Sequence, residues 1–300
     1  MLGKGVIGEI FSNIISKKIN LLIVNSLLTP RQQKNLEDKL KIKVIDRTGI
    51  ILEIFSKRAK SKEGKLQVEL ADLMYRKSRL VRAWTHLERQ RGGTTFIGGP
   101  GELQIELDRR LIQEKIIRIR ANLKKVQKRR NQQRKLRKKS NFKTFALVGY
   151  TNAGKSKLFN CLTKKKQSSK NVMFETLDTK TGRVYLGGDK YIGVIDTVGF
   201  INNIPTQLIE SFKATLEELS YADVLINVID ISDIDYKNKE KVTIDTLKMA
   251  NVSETKINKM ITVYNKIDLS PYTLCSERYN LISAHTGDGI EEFKKRLINY

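Results

Sequence analysis

The eight residues Gly149-Tyr150-Thr151-Asn152-Ala153-Gly154-Lys155-Ser156 have the types and spacing to hold a chain of phosphates. The pattern G-x-x-x-x-G-K-[ST] does this between a strand and a helix. Here the apolar run Phe145–Val148 precedes it, and Leu158, Phe159 and Leu162 follow at helical spacing. Backbone N–H groups of such a loop, together with the positive end of the helix, point at phosphate oxygens. Gly154 lets the backbone come close, Lys155 can reach the terminal phosphates, and the Ser156 hydroxyl can ligate Mg²⁺, which keeps several of its waters.

Three later segments narrow the ligand. The run Ile192–Ile195 leads into Asp196-Thr197-Val198-Gly199. A carboxylate at that strand end can hold Mg²⁺ through water, and the N–H of Gly199 can bond a γ-phosphate. Met260–Tyr264 delivers Asn265-Lys266-Ile267-Asp268. The Asp268 carboxylate can accept from the N1–H and N2 amine of guanine, a donor pair that adenine lacks. Asn265 is expected to face the other edge of the base, and the Lys266 stem to lie along the ring. The backbone of Ser283-Ala284-His285 is expected to contact the guanine oxygen. Between the phosphate loop and Asp196 lies Phe174-Glu175-Thr176-Leu177-Asp178, where a switch segment belongs. Thr176 is the choice for the second protein ligand of Mg²⁺, with Thr179 and Thr181 as rivals. The expected device is a spring: γ-phosphate and Mg²⁺ hold Thr176 and Gly199 together, and hydrolysis releases both. Asp223, Asp230, Asp233 and Asp235 fit no Ca²⁺ loop and read as surface turns.

These residues must be positioned by an α/β domain, and the 300-residue chain has room for more. With 40% hydrophobic and 30% charged residues it is no disordered chain. No stretch approaches 18 apolar residues and no signal-peptide pattern opens it, so a cytoplasmic protein, outside the membrane, is expected. Cys161 and Cys275 lack metal-ligand spacing and read as free thiols. Three segments are expected: a small α/β domain at 1–65, a helical hairpin at 66–141 and the nucleotide domain at 142–300. In the first, Leu21–Val24 fits a buried strand, Thr29-Pro30 the start of a helix to Leu40, Val44–Asp46 a second strand, and 50–58 a helix. In the second, Ile112, Ile116, Ile119, Leu123 and Val126 form a heptad seam. The five glycines and one proline of 91–101 force a loop at the hairpin tip. From Lys115 to Phe174 there are 20 Lys or Arg and no Asp or Glu, so most of the net charge of +25 lies in one segment. Such a segment calls for a polyanionic partner.

GYTNAGKS (149–156), FETLD (174–178), DTVGFI (196–201) and NKIDL (265–269) together resemble the HflX family of GTPases. The likeness extends to VIDRT (44–48), KEGKLQVEL (62–70), WTHL (84–87), GPGELQIELDRR (99–110) and residues 203–218. It implies a P-loop GTPase domain with a mixed, mostly parallel sheet, preceded by the small α/β domain and the long hairpin. It also implies GTP as substrate and Mg²⁺ as cofactor. The implied partner is the large ribosomal subunit and its RNA, with a role in splitting or rescuing ribosomes under stress and the glycine tip entering near the peptidyl transferase centre. A monomer is expected. The sequence departs from the family at Lys157 (commonly Thr), at Gly98 and Leu103 (commonly Arg and Thr) and at His285. The chain also reads as lacking upstream strands of the family's N-domain and a C-terminal extension. Phe200 stands where many GTPases carry a water-orienting Gln, so slow intrinsic turnover is expected. Two other roles are open: a GTPase of ribosome assembly or RNA remodelling, and a GTP-gated RNA-binding module that has lost hydrolysis.

Overall fold

The computed structural model describes residues 3–83, 100–139, 143–164, 174, 176–188, 190–202, 205–269 and 280–300. The chain forms two compact units. One joins Met1–Lys57 to Val68–Ala121; the other joins Arg58–Gln67 to Asn122–Tyr300.

The first unit opens with α1 (Lys4–Lys17), a helix not read from the sequence, followed by β1 (Leu21–Val24), α2 (Pro30–Leu40), β2 (Lys43–Asp46) and α3 (Arg47–Arg58). Thr29 caps α2 in a reciprocal box with Gln32, and Pro30 takes the first helical position, where its missing N–H costs nothing. β1 and β2 pair in parallel. Ile14, Leu36, Leu40 and Val44 form the core here, with Leu22 and Val24 packed against it. The expectation of a buried β1 is corrected. Its residues alternate, leaving Leu21 39% and Ile23 50% exposed, because the core covers only one face of a two-stranded sheet. Asp46 is buried at the end of β2 and accepts from Arg79 Nη2 (2.6 Å), the Tyr75 hydroxyl (2.8 Å) and Gly49 N (2.8 Å). Burial and the Asp46 carboxylate together push the Tyr75 phenol well above its ordinary range.

Two long helices, α4 (Lys62–Ala83) and α5 (Pro100–Lys139), flank the expected tip, most of which lies outside the described residues. α5 is continuous through the basic stretch. Of the heptad positions, Ile116 and Ile119 are buried and Ile112, Leu123 and Val126 half-buried, whereas Lys124, Lys125, Lys128 and Arg129 are exposed.

The second unit is built on a six-stranded sheet of order β4-β5-β3-β6-β7-β8. Its elements run β3 (Thr144–Val148), α6 (Lys155–Thr163), β4 (Lys180–Gly187), β5 (Lys190–Asp196), α7 (Thr206–Ser211), α8 (Lys213–Tyr221), β6 (Val224–Asp230), α9 (Tyr236–Met249), α10 (Glu254–Asn258), β7 (Ile261–Asn265), β8 (Asn280–Leu281) and α11 (Ile290–Leu297). Among the described strands of this sheet, only β4 is antiparallel. Both faces of the sheet are covered, as parallel strands require. Phe145, Leu147, Val194 and Val228 face α6 and α11, while Ala146, Val148, Ile195 and Leu225 join Leu219 and Leu247 on the other side.

Candidate nucleotide site

Because β3, β5, β6 and β7 run parallel, their C-terminal ends open on one edge of the sheet, where ligands of such folds bind. A cavity of about 430 Å³ lies there. Its lining includes Thr151, Asn152, Gly154, Lys155 and Ser156 from the phosphate loop, Phe174 and Thr176 from the switch strip, and Thr197 and Gly199 after β5. Asn265, Lys266, Asp268, Ala284 and His285 complete the part foreseen from sequence. Lys157 and Leu269 also line it, and sequence reading did not place them there. Both stand one residue beyond a recognised motif, which is the signal that could have found them.

The loop owes its shape to glycine. Gly154 caps α6 at φ 92°, a left-handed conformation open to glycine, and a Cβ there would strike the Asn265 amide. A Cβ on Gly199 would come within 2.9 Å of Thr151 Cα and 3.0 Å of Lys155 Nζ. The Lys155 ammonium donates to the Gly149 and Tyr150 carbonyls at 3.0 and 2.6 Å. Burial pulls its pKa down to about 8, and the Asp196 charge opposes that shift only in part.

Three oxygens converge beside the lysine. Ser156 Oγ and Thr176 Oγ1 are 2.7 Å apart, and each donates to Asp196 Oδ2, at 2.8 and 2.7 Å. Asp196 is fully buried, and its Oδ1 has no hydrogen-bond partner. Burial raises its pKa, against the two hydroxyls and Lys155. Two hydroxyls and a desolvated carboxylate with one unused oxygen are a hard-oxygen donor set, and they fit Mg²⁺. The rivals of Thr176 lie elsewhere: Thr179 accepts from Arg130, and Thr181 is exposed on β4.

The base-side loops differ in detail from the reading. The Asn265 amide spans the cleft wall, with Nδ2 donating to Ala153 O (2.8 Å) and Oδ1 accepting from Ala284 N (2.9 Å). It braces the phosphate loop against the Ser283–His285 loop rather than being held free for a base edge. The other two N–H groups of that second loop are engaged internally: Ser283 N donates to Asp288 O, and His285 N to Ser283 Oγ. The Cys161 thiol, a free cysteine, donates to Ala284 O from behind. Asp268 sits in the 3₁₀ turn Ile267–Leu269, exposed, where a base would cover it. Lys266 is fixed by an ion pair with Asp230 at 2.6 Å, so Asp230 is no plain surface turn.

Other foreseen residues lie around the cavity rather than on it. Gly149 O accepts from Phe200 N and Phe200 O from Thr151 N, which bridges Tyr150 to Phe200. Ala153, Leu177 and Ser283 are buried, Val198 and Ile267 half-buried. Thr197, which does line the cavity, donates its hydroxyl to Leu147 O at 2.6 Å. Asp178 faces the start of α4. Glu175 lies outside the described residues. Phe200 is buried among Val148, Ile195 and Leu219, so its ring is core.

Three sequence families match the chain in succession: "GTP-binding GTPase N-terminal" at 1–56, "GTP-binding GTPase Middle Region" at 58–137 and "50S ribosome-binding GTPase" at 144–266. GTPase HflX of Magnetococcus marinus is 47% identical over 301 residues, covering 98% of this chain and 69% of that protein. The chain belongs to the HflX family of GTPases. GTPase HflX of Caldanaerobacter subterraneus is 47% identical over 270 residues, covering 89% of this chain and 62% of its own. The chain thus spans 62–69% of the length of these two relatives. A GTP-binding protein from Sulfolobus solfataricus, solved in complex with GDP, shares the fold at TM-score 0.52 and 24% identity, covering 99% of this chain and 85% of that one. As an HflX-family chain it carries a P-loop GTPase domain, and the α/β class read from the sequence is the one observed. No helix among the described residues is long and apolar enough to cross a membrane.

Proposed function

We propose that this chain binds GTP with Mg²⁺ in the cleft, hydrolyses it slowly, and engages the large ribosomal subunit in the GTP-bound state. One observation carries the reading: Ser156, Thr176 and Asp196 converge at the foot of a phosphate loop whose cleft also holds Asp268. Ser156 and Thr176 would hold the ion directly and Asp196 through water. When bound, Mg²⁺ supplies charge neutralisation at the terminal phosphates.

The chain's own groups do the rest. Lys155 and the loop amides hold the terminal phosphates and neutralise charge as water attacks the γ-phosphorus in line and GDP leaves with the bridging oxygen. Asp268 reads the N1–H and N2 donors of guanine, and covering its exposed carboxylate without those donors would be costly. Asn265 acts indirectly by keeping the two loops in register. Phe200, committed to the core, cannot orient the water, which supports slow turnover until a partner orders the switch segments. The exposed lysines and arginine on α5 supply a surface for ribosomal RNA, and binding through phosphates would weaken steeply with salt. The family description "50S ribosome-binding GTPase" supports the large subunit as partner.

We place the role in ribosome splitting or rescue under stress, by a cytoplasmic monomer organised as 1–65, 66–141 and 142–300. The test is cosedimentation with ribosomal fractions in GTP, GDP and a non-hydrolysable analogue across a salt series, with single-turnover hydrolysis measured alongside. Binding to mature large subunits with the analogue but not GDP, and faster turnover on them, is the expected result. Preference for immature subunits would favour an assembly role. Binding without any turnover would favour a GTP-gated RNA-binding module, the reading that Phe200 and Lys157 leave open.

A further inference from the structure

Asp178 was read with the nucleotide segments, but its carboxylate points elsewhere. Oδ2 accepts from the backbone of Lys60 (3.0 Å) and Ser61 (2.8 Å), and Oδ1 accepts from the Ser61 hydroxyl. Ser61 Oγ in turn accepts from Gly64 N at 2.9 Å, as an N-cap does. Asp178 therefore sits on the positive end of α4, where a carboxylate is stabilised. The fit is tight: a Cβ on Gly64 would strike Asp178 Oδ1. The next residue is held as well. Thr179 Oγ1 accepts from Arg130 of α5 at 3.4 Å, and Arg130 is ion-paired with Glu63 of α4 (2.7 Å) and Glu218 of α8 (3.3 Å). The Asp178 bonds to Lys60 and Ser61 span 118 and 117 residues, so no local propensity explains them.

Thr176 lies two residues upstream, about 7 Å along an extended chain, with Leu177 buried between them. A strip this short, pinned at Asp178 and Thr179, has little freedom to withdraw Thr176. The clip and the inward position of the Thr176 hydroxyl occur together in the structure.

We propose that Asp178 is a positioning residue for hydrolysis: clipped to the start of α4 and backed by Arg130, it holds the strip that presents Thr176 to the metal site. The coupling is reciprocal. A force on the start of α4, or a polyanion drawing Arg130 from Glu63 and Glu218, loosens Thr176, and loss of the γ-phosphate loosens the clip. The inference rests on the reading of Thr176 as an Mg²⁺ ligand given under Proposed function.

The test compares the intact chain with Asp178→Asn, Ser61→Ala and Ser61→Thr, measuring single-turnover GTP hydrolysis, affinity for Mg²⁺·GTP and for GDP, and thermal melting. Asp178→Asn should lower the hydrolysis rate and Mg²⁺·GTP affinity about tenfold, in the range of a lost charged cap, with GDP affinity changed less than twofold. Ser61→Ala keeps the two backbone donors and should cost about threefold. Ser61→Thr should restore the parent rate. The Asp178→Asn, Ser61→Ala double variant should fall short of the product of the two single effects. Parent-like hydrolysis in Asp178→Asn, or equal losses for GTP and GDP, would overturn the proposal. If Asp178→Asn does not fold, the Ser61 pair decides on the same readouts. Failure of the parent chain to bind Mg²⁺·GTP would instead overturn the reading of the site.

Discussion

The two sheets of this chain answer the same demand differently. β3, β5 and β6 are covered on both faces, with Phe145, Leu147, Val194 and Ile226 fully buried. β1 is as apolar in sequence as β3, yet Leu21 and Ile23 stand in solvent. The cluster of Ile14, Leu36, Leu40 and Val44 lies against one face of the two strands, whereas the six-stranded sheet carries a described cluster on each face. The contrast shows that an apolar run certifies a strand but not the number of faces it buries, because the second face depends on elements distant in sequence. It also explains where the chemistry sits: a sheet fixed from both sides can hold four loops in register along one edge.

That contrast can be broken by substitution. Phe145→Ala should destabilise the GTPase unit by about 3–5 kcal/mol, the cost of a large buried cavity, read by denaturant unfolding; a cost under 1 kcal/mol would mean the doubly covered core is not what holds the site. Next in size is the base pocket. Asp268→Asn should weaken GTP about a hundredfold or more and move preference toward xanthosine triphosphate, measured by competition titration; unaltered GTP preference would remove Asp268 from base recognition.

A smaller effect comes from Lys155. Its pKa in the folded chain lies near 8, below the ordinary 10.5. Below pH 8 the lysine is charged and ready for phosphate; above it, triphosphate binding must take up a proton. Affinity should therefore be level up to about pH 8 and then fall by up to about tenfold per unit, and calorimetry in buffers of different ionisation heat should show the uptake. The sign for stability is opposite. Between pH 8 and 10.5 the unfolded chain binds more protons at this site, so this group makes the ligand-free fold more stable as pH rises. The smallest effect belongs to the half-bare sheet: Ile23→Ala should change stability by about 0.5 kcal/mol or less and leave GTP turnover as it was. A loss of several kcal/mol there would show that a second layer covers β1 in solution.

Much of the candidate site was legible because phosphate and base recognition need fixed residue types at short spacing. Lys155, Ser156, Asp196 and Asp268 stand within such motifs, each between a strand and a turn. Thr176 could be ranked above Thr179 and Thr181 but not separated from them by spacing alone, since all three hydroxyls lie in one short strip. The α2 cap and the α5 seam were equally local. The helix α1 went unread because nothing in its first turn announces a cap: Gly3 offers no side-chain bond.

Sequence alone determined which loops are candidates for the chemistry and the family to which the chain belongs, since those depend on residues a few positions apart. Tertiary structure decided what spans long separations: Asn265 bracing Ala153 against Ala284, Asp230 fixing Lys266, Asp178 seated on α4 more than a hundred residues away, and the open face of β1. A hydrogen bond or a covered face between distant segments leaves no periodic trace in either segment, so only the folded chain reveals it.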